Sequence, residues 1–327
     1  MIHKQRGTVI VSVLLLFAIA AYLAAEITYR QKIDIRRTGT ILAQDQAYEY
    51  LVGAEELAKL VLKEDLKGDI KKSEIIDTLI KKKDEWSSKM EAPVSGGSIA
   101  GHVKDLQGRF NINWLLQSGA ISKQHQQRLV NLFSGQKIPK DGTAKELVDR
   151  IVDWLDSDDQ PTLHDGIEDQ GYLVKQTPYR TGNRILVELS ELLMVEGVTA
   201  EDLEHMSQFL AVLPPESTLN INTVLPEVID LYDCLEDIAR IKAEQKTGIV
   251  NFADYVNKKT DQTCNNVDLN SGLFSANSQY FLLESEATIN GRTIRMNSVI
   301  YRPEAATPDK ISVKVMYRKQ LDPFSRV

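Results

Sequence analysis

Residues 8–25 run from Thr8 to Ala25 without one charged side chain. At about 1.5 Å per residue such a run is roughly 27 Å long as a helix, close to the hydrocarbon core of a bilayer. The helical pattern continues past it. Ala43, Ala47, Tyr50, Ala54, Leu57, Ala58 and Val61 follow an i, i+4, i+7, i+11 course. No proline occurs before Pro93, and only Gly39 and Gly53 weaken the pattern after the apolar run. The spacing predicts one long helix over 8–66, its first part in lipid (8–25) and its second (26–66) laid against a folded body. His3, Lys4 and Arg6 precede the span, which favours a cytoplasmic N-terminus and an exported body. A cleaved secretory signal is the rival reading, since Ala18-Ile19-Ala20 offers small residues. Signal cores, however, usually span about 7–15 residues, fewer than here.

After residue 67 the pattern changes twice. Residues 68–98 are Lys-rich and then Gly/Ser-rich, predicting a short helix and a loop, and Ile99–Phe110 predicts a strand with a turn near Gln107-Gly108. Helical segments are expected near 122–133, 143–156, 182–194, 199–211, 224–244 and 251–258, with N-caps at Asn113 and at Asn222 or Thr223. Phe110-Asn111-Ile112-Asn113 and Leu219-Asn220-Ile221-Asn222 echo each other, though one tetrapeptide is too short to define a repeat. The last fifty residues alternate with period two: Gln279–Ile289, the hairpin signal Asn290-Gly291, Arg292–Tyr301 and Ile311–Arg318. The predicted class is α+β: a long N-terminal helix packed on a C-terminal antiparallel sheet, with a large, mostly helical insertion over 111–272. The body then comprises 67–110 and 273–327.

Composition narrows the function. With a net charge of −7 and a pI of about 5.4 there is no basic footprint for nucleic acid. The grouped lysines 63, 67, 71, 72 and 81–83 read as a solvated helical face, with contact to anionic lipid head groups as the alternative. Cys234 and Cys264 form an even pair that suits one disulfide in an exported body, two reduced thiols being the alternative. No phosphate loop, nucleophile elbow or HExxH pair is present, so no enzyme is expected. Trp86, Trp114 and Trp154 read as packing anchors, and Glu196-Gly197-Val198 as a helical hairpin used as scaffold. From Ile151 to Val174 there is no Lys or Arg, but there are Asp153, Asp156, Asp158, Asp159, Asp165, Glu168 and Asp169, with His164 among them. Hard oxygen ligands at this density suit Ca²⁺. The run beginning at Asp156 fails the EF-hand pattern, with Pro161 at its sixth position and Ile167 at its twelfth. A non-EF calcium loop using Asp156, Asp158, Asp159, Glu168 and Asp169 is one reading, and a solvated acidic loop with Asp156 capping a helix is the other.

Several short stretches, in order along the chain, resemble one family. They are Gln5-Arg6-Gly7, Glu26–Gln31, Ala43–Tyr48, Asp105–Asn111, Asp153–Asp158, Pro178-Tyr179-Arg180, Ser190-Glu191-Leu192 and Leu219–Thr223. Together they resemble the minor pseudopilin K family of type II secretion systems (general secretion pathway protein K), within the type IV pilin-like proteins. The resemblance implies a prepilin leader over residues 1–7, cut by a prepilin peptidase between Gly7 and Thr8, and commonly methylation of the new terminus. Most pilins carry Glu at the fifth mature position; here it is Ser12, as the K family shares. A buried Glu in lipid is costly unless paired, for example with a neighbour's ammonium, so this chain lacks a carboxylate to offer one. The resemblance further implies an inner-membrane, single-pass subunit at the tip of a pseudopilus, aiding export of folded periplasmic proteins. The expected partners are minor pseudopilins I and J and the major pseudopilin, with calcium in the helical domain. The rival function is a membrane-anchored binding module of the same broad class, serving DNA uptake or adhesion.

Overall fold

The computed structural model describes residues 8–71, 89–162, 165–232, 272–304, 307 and 310–321. The leader including Gly7, Trp86, His164, the expected helix at 251–258 and both cysteines, Cys234 and Cys264, lie outside them. Helix α1 (Thr8–Lys71) is a single uninterrupted rod. It is the one helix among the described residues long and apolar enough to cross a membrane. Strands β1 (Met90–Val94) and β2 (Gly97–Asp105) form a hairpin after it.

The chain then enters the insertion, marked by two-residue bridges and short helices. In order these are β3 (Phe110–Asn111), β4 (Leu116–Gln117), β5 (Ala120–Ile121), α2 (Lys123–Gln136) and α3 (Ala144–Leu155). They continue with α4 (Asp169–Leu173), α5 (Ala200–Met206), β6 (Leu210–Ala211), β7 (Leu219–Asn220), α6 (Pro226–Ile229) and β8 (Phe274–Ser275). The chain returns through β9 (Tyr280–Ile289), β10 (Arg292–Tyr301) and β11 (Lys314–Leu321). The main sheet is antiparallel throughout, in the order β1-β2-β9-β10-β11. The expected α+β plan is therefore the observed one.

One face of that sheet takes the second half of α1. Ala43, Ala47 and Leu51 pack on Ala287, Ile289, Ile294 and Met296, and Ala58 and Leu62 pack on Val103, Phe281, Leu283 and Ile300. The small residues let the helix axis approach the strands closely. Beyond Ala47 the seam keeps Ala58 of the expected positions but otherwise differs: Leu51, Glu55 and Leu62 are buried, whereas Leu57 is exposed. Glu55 hid the register, because a wholly buried carboxylate interrupts an apolar stripe. Ser298 Oγ donates to it at 2.5 Å, and Arg318 Nε donates to both its oxygens at 2.8 Å. Arg302 repeats the device about two to three turns on, donating to Leu62 O at 2.8 Å and to Asp65 at 2.6 Å while lying over the Phe281 ring.

The opposite face of the sheet receives the insertion through Leu106, Ala211, Leu213 and Val299. The insertion has its own core, with Phe110, Trp114, Phe133, Trp154, Tyr172 and Tyr232 at its centre. Trp114 and Trp154 are thus the packing anchors expected of them.

Several expected elements are corrected. The helix at 182–194 is only a 3-10 segment over Leu189–Met194, and Glu191 caps it by accepting from Val187 N and Glu188 N. Helix 199–211 ends at Met206, after which Leu210–Ala211 joins Phe110–Asn111 in a parallel bridge. The described start of 224–244 is a single turn, with Pro226 at its first position after Leu225 rather than Asn222 or Thr223. Asn113 is not a cap. Asn111 caps that turn, accepting from Asn113 N, while Asn113 lies buried and bonds Leu186 and Leu213. Residues 90–94, expected as loop, form an edge strand, where Pro93 costs no ladder bond on its open side.

Replacing Glu55 with Ala is expected to cost about 2 kcal/mol, since it strands Ser298 and leaves a hole under the helix while half-exposed Arg318 can rehydrate. For a head of this size that is about 4–8 °C in melting temperature. Thermal unfolding of the full chain in detergent checks this. An unchanged midpoint would mean that the pair does not hold the seam.

Candidate functional site

Two places carry polar chemistry away from solvent. The first lies where the insertion leaves and rejoins the sheet. Asp105, at the end of β2, accepts from Gln107 N at 2.8 Å, Ser278 Oγ and Thr223 Oγ1 at 2.5 Å, and Asn220 Nδ2 at 3.2 Å. Burial raises its pKa, against these four hydrogen bonds that lower it. Gln107 Oε1 accepts from Gln279 N and Tyr280 N, and its amide donates to Thr218. Gly108 passes so close to the backbone that a Cβ there would meet Thr223 O at 2.4 Å. Every group at this node is satisfied, so it is a joint and not a binding site.

The second place is the acidic stretch. Helix α3 starts at a capping box, with Thr143 and Glu146 satisfying each other's backbone, and buries Leu147, Val148, Ile151, Val152 and Leu155. Its last turn exposes nothing of Asp153, whose carboxylate accepts from Thr162 N at 2.9 Å and from the Ile167 backbone. That folds the following loop back over the helix end. The approach needs Gly166, where a Cβ would meet Asp153 Oδ2 at 2.1 Å. Asp156 ends the helix as its C-cap, and Asp158 closes an Asx turn onto Gln160 N at 2.8 Å.

The fold-back brings Glu168 over Asp156 and Asp158. One carboxylate oxygen from each of the three lies within 4.8 Å of the others. Glu168 is 4 % exposed and Asp156 9 % exposed. Both oxygens of Glu168 and Oδ1 of Asp156 have no hydrogen-bond partner. Among the described residues no Lys or Arg pairs with any of the three: Arg150 bonds the carbonyls of Asp165 and Glu196, and Lys145 goes to Asp149. Burial first, and then Asp153, Asp156, Asp158 and Asp159, push the Glu168 carboxyl up to about 8. Burial, Asp158 and Asp153 push Asp156 up to about 6.

Of the five expected ligands the structure gathers three. Asp159 lines the cleft beside Glu168, together with Gln160, Pro161 and Gly171, but stands outside the group of three. Asp169 is taken up elsewhere, accepting from Arg180 at 2.8 Å and from Thr181 N and Oγ1 at 2.9 Å. It pins segment 180–181 to the loop. Sequence spacing could not separate Glu168 from Asp169. Asp153 had no distinguishing signal beyond its place on the buried face of α3.

Comparison with known proteins follows the same lines. A model of the family described as type II secretion system (T2SS), protein K matches residues 108–215, the first part of the insertion. The type II secretion system protein K of Aeromonas hydrophila is 31 % identical over 235 residues, covering 69 % of each chain. This chain belongs to the type II secretion system protein K family. The Pseudomonas aeruginosa member is 28 % identical over 309 residues, covering 91 % of this chain and 89 % of that one. The fold matches a chain in the crystal structure of the GspK-GspI-GspJ complex from the enterotoxigenic Escherichia coli type 2 secretion system. The TM-score is 0.70 at 24 % identity, over 88 % of this chain and 99 % of that chain. The apolar start of α1 fits a single-pass inner-membrane anchor for a protein K.

A carboxylate whose pKa is raised by folding takes up a proton in the folded state, so its contribution to stability is present at low pH and fades as pH rises through the folded value. Metal-free protein is therefore expected to lose stability as pH rises from about 4.5, the ordinary glutamate value, to about 8, where Glu168 has ionised in the folded state and the slope levels off. Glu168→Gln is expected to flatten that slope. Melting curves of both proteins in chelator across this range check it, and parallel curves would show that Glu168 is not the group responsible.

Proposed function

We propose that the protein is a minor pseudopilin that caps the tip of a type II secretion pseudopilus and helps export folded periplasmic proteins across the outer membrane. The observation that carries this reading is the combination of a continuous 64-residue rod with a head that buries only its second half, in a protein K family member. The bare first half is a surface for stacking beside other rods. The insertion stands on the far face of the sheet as bulk that bars a further subunit. Ser12 at the fifth mature position fits a subunit that receives no neighbour's terminus there. The chain works by packing and steric stop, without turnover. Its N-terminus is cytoplasmic and its head periplasmic, it is processed by a prepilin peptidase between Gly7 and Thr8, and it stands on the major pseudopilin. Minor pseudopilins I and J are its partners, a reading supported by the complex to which its fold is similar.

The same reading assigns Ca²⁺ to Asp156, Asp158 and Glu168. The donors are all hard oxygens, which disfavours zinc and copper, and the unpartnered buried oxygens of Glu168 and Asp156 fit a cation. A bound cation supplies the charge that the loop lacks and fixes the end of α3 against the start of α4.

Intact-mass measurement of the membrane-extracted protein is expected to give a chain beginning at Thr8, and Gly7→Ala is expected to retain residues 1–7. Co-expressed pseudopilins I and J are expected to co-purify with the wild type. A native chain lacking the rod would overturn the assignment. Ca²⁺ at a hundredfold excess over its dissociation constant is expected to stabilise the wild type by about 2.7 kcal/mol. Glu168→Gln is expected to lose most of that gain, and equal melting with and without Ca²⁺ would remove the metal from the account.

A further inference from the structure

Helix α1 is first covered by the sheet at Ala43, whereas its uncharged run ends at Ala25. Between them residues 26–42 form a bare helical stalk about 25 Å long. Its composition is unusual for a rod in water. Ile27, Tyr29, Ile33 and Ile35 are all exposed, Ile35 at 72 %. Among them stand Arg30, Lys32, Arg36 and Arg37 against only Glu26 and Asp34. Arg30 is held by Glu26 at 2.7 Å. Lys32, Arg36 and Arg37 have no ion pair among the described residues.

We infer that this stalk is a collar for anionic phospholipid: in the unassembled subunit Lys32, Arg36 and Arg37 bind the phosphates of the leaflet from which the head emerges. The inference rests on the membrane-spanning reading of α1 given above. Tyr29, Lys32, Ile33 and Arg36 fall at i, i+3, i+4 and i+7, so one face carries an aromatic ring, an aliphatic side chain and two cations together. That mixture suits the boundary between acyl chains and head groups, where aromatic rings settle and basic side chains keep their charge at the phosphates. Distance fits as well. Lys32 to Arg37 lie about 10–18 Å along the axis past Ala25. Side chains on a helix lean toward its N-terminus, here toward the bilayer, and long basic side chains extend that reach. Guanidinium groups match phosphate oxygens two at a time. The acids that could compete are few: Glu26 is already engaged, and Asp34 is a single charge among three free cations. The collar would hold the head close to the membrane until neighbouring rods displace the lipid.

The test uses the full chain in phosphatidylcholine vesicles carrying trace spin-labelled phosphatidylglycerol or spin-labelled phosphatidylcholine. The immobilised fraction of each gives the relative association. A basic side chain near an anionic surface is worth about fivefold, so a preference for phosphatidylglycerol of at least about fivefold is expected at low salt, falling in 1 M salt. The variant Lys32→Gln/Arg36→Gln/Arg37→Gln is expected to lose most of it. The difference between wild type and variant also removes any share due to Lys4 and Arg6 at the other end of the span. No preference in the wild type, or an unchanged preference in the variant, overturns the collar. So does a variant that keeps its lipid preference but no longer co-purifies with pseudopilins I and J, since the cations would then serve protein contacts. Lipid association in symmetric vesicles does not depend on orientation or on secretion, so its failure leaves the tip-cap reading standing.

Discussion

The whole molecule depends on the helix–sheet seam, in which one stripe of α1 lies against β9 and β10. The stripe runs through Ala43, Ala47, Leu51, Ala58, Leu62 and Leu66, with Glu55 in its middle. The alanines permit a close approach of the helix to the strands, and the leucines between and after them fill the seam. Because this seam consumes one face of the sheet, the insertion can dock only on the other. Because it begins at residue 43, everything before that is left to lipid or to other molecules. Seam position thus divides the chain into anchor, stalk and head without any flexible linker. A continuous helix transmits displacement where a hinge would absorb it.

The insertion is joined to the head as firmly as the head is joined to the rod. Chain exit and return are both fixed by side chains just beyond β2, Asp105 bonding Ser278 and Gln107 bonding the Gln279 and Tyr280 backbone. Arg302 continues the connection, donating to Ser278 O on one side and to Leu62 O on the other. Buried polar groups thus run without a gap from α1 through the sheet edge to Asn220 and Thr223 in the insertion. Lys319 on β11 adds an outer tie to Glu188 and Ser190. Such a network stabilises only while each member is satisfied, so it favours one seating of the insertion over others.

The sequence made the architecture readable wherever period and composition agreed. The uncharged run at 8–25, the alternation in β9 and β10 and the Asn290-Gly291 turn each carry a local signal that tertiary packing had no reason to override. The seam was legible at Ala43, Ala47 and Ala58 but not between the last two, because Glu55 is polar yet wholly buried, and its partners Ser298 and Arg318 lie more than two hundred residues away. Between 178 and 195 the chain is held by such distant contacts as Asn113 to Leu186 and Asp169 to Thr181, so helical spacing there misled. The Asn echo had physical content after all. Asn111 and Asn220 each sit on a two-residue parallel bridge and accept from the backbone two residues on. In the acidic stretch, density pointed to the loop in which three carboxylates gather, while choosing among its members required the fold-back that Asp153 imposes.

Three buried carboxylates show why burial alone does not define a site. Glu55 is wholly enclosed, and the chain supplies a guanidinium and a hydroxyl to meet it, so its charge is spent on holding helix to sheet. Asp105 is partly buried and is met by four donors, with no cation needed. Glu168 is as well hidden but is met by nothing, and it stands beside two further acids. An ionised carboxylate cannot be left in that position without several kcal/mol of penalty. The group must then either hold a proton, as its pKa of about 8 reflects, or face a cation from outside the chain. Protonation relieves one charge of the three and leaves Asp156 and Asp158 opposed. A divalent cation relieves all of them at once and satisfies the orphaned oxygens in the same step. That difference in what each choice leaves unsatisfied is the physical reason the calcium proposal falls on this cluster and on neither of the other two carboxylates.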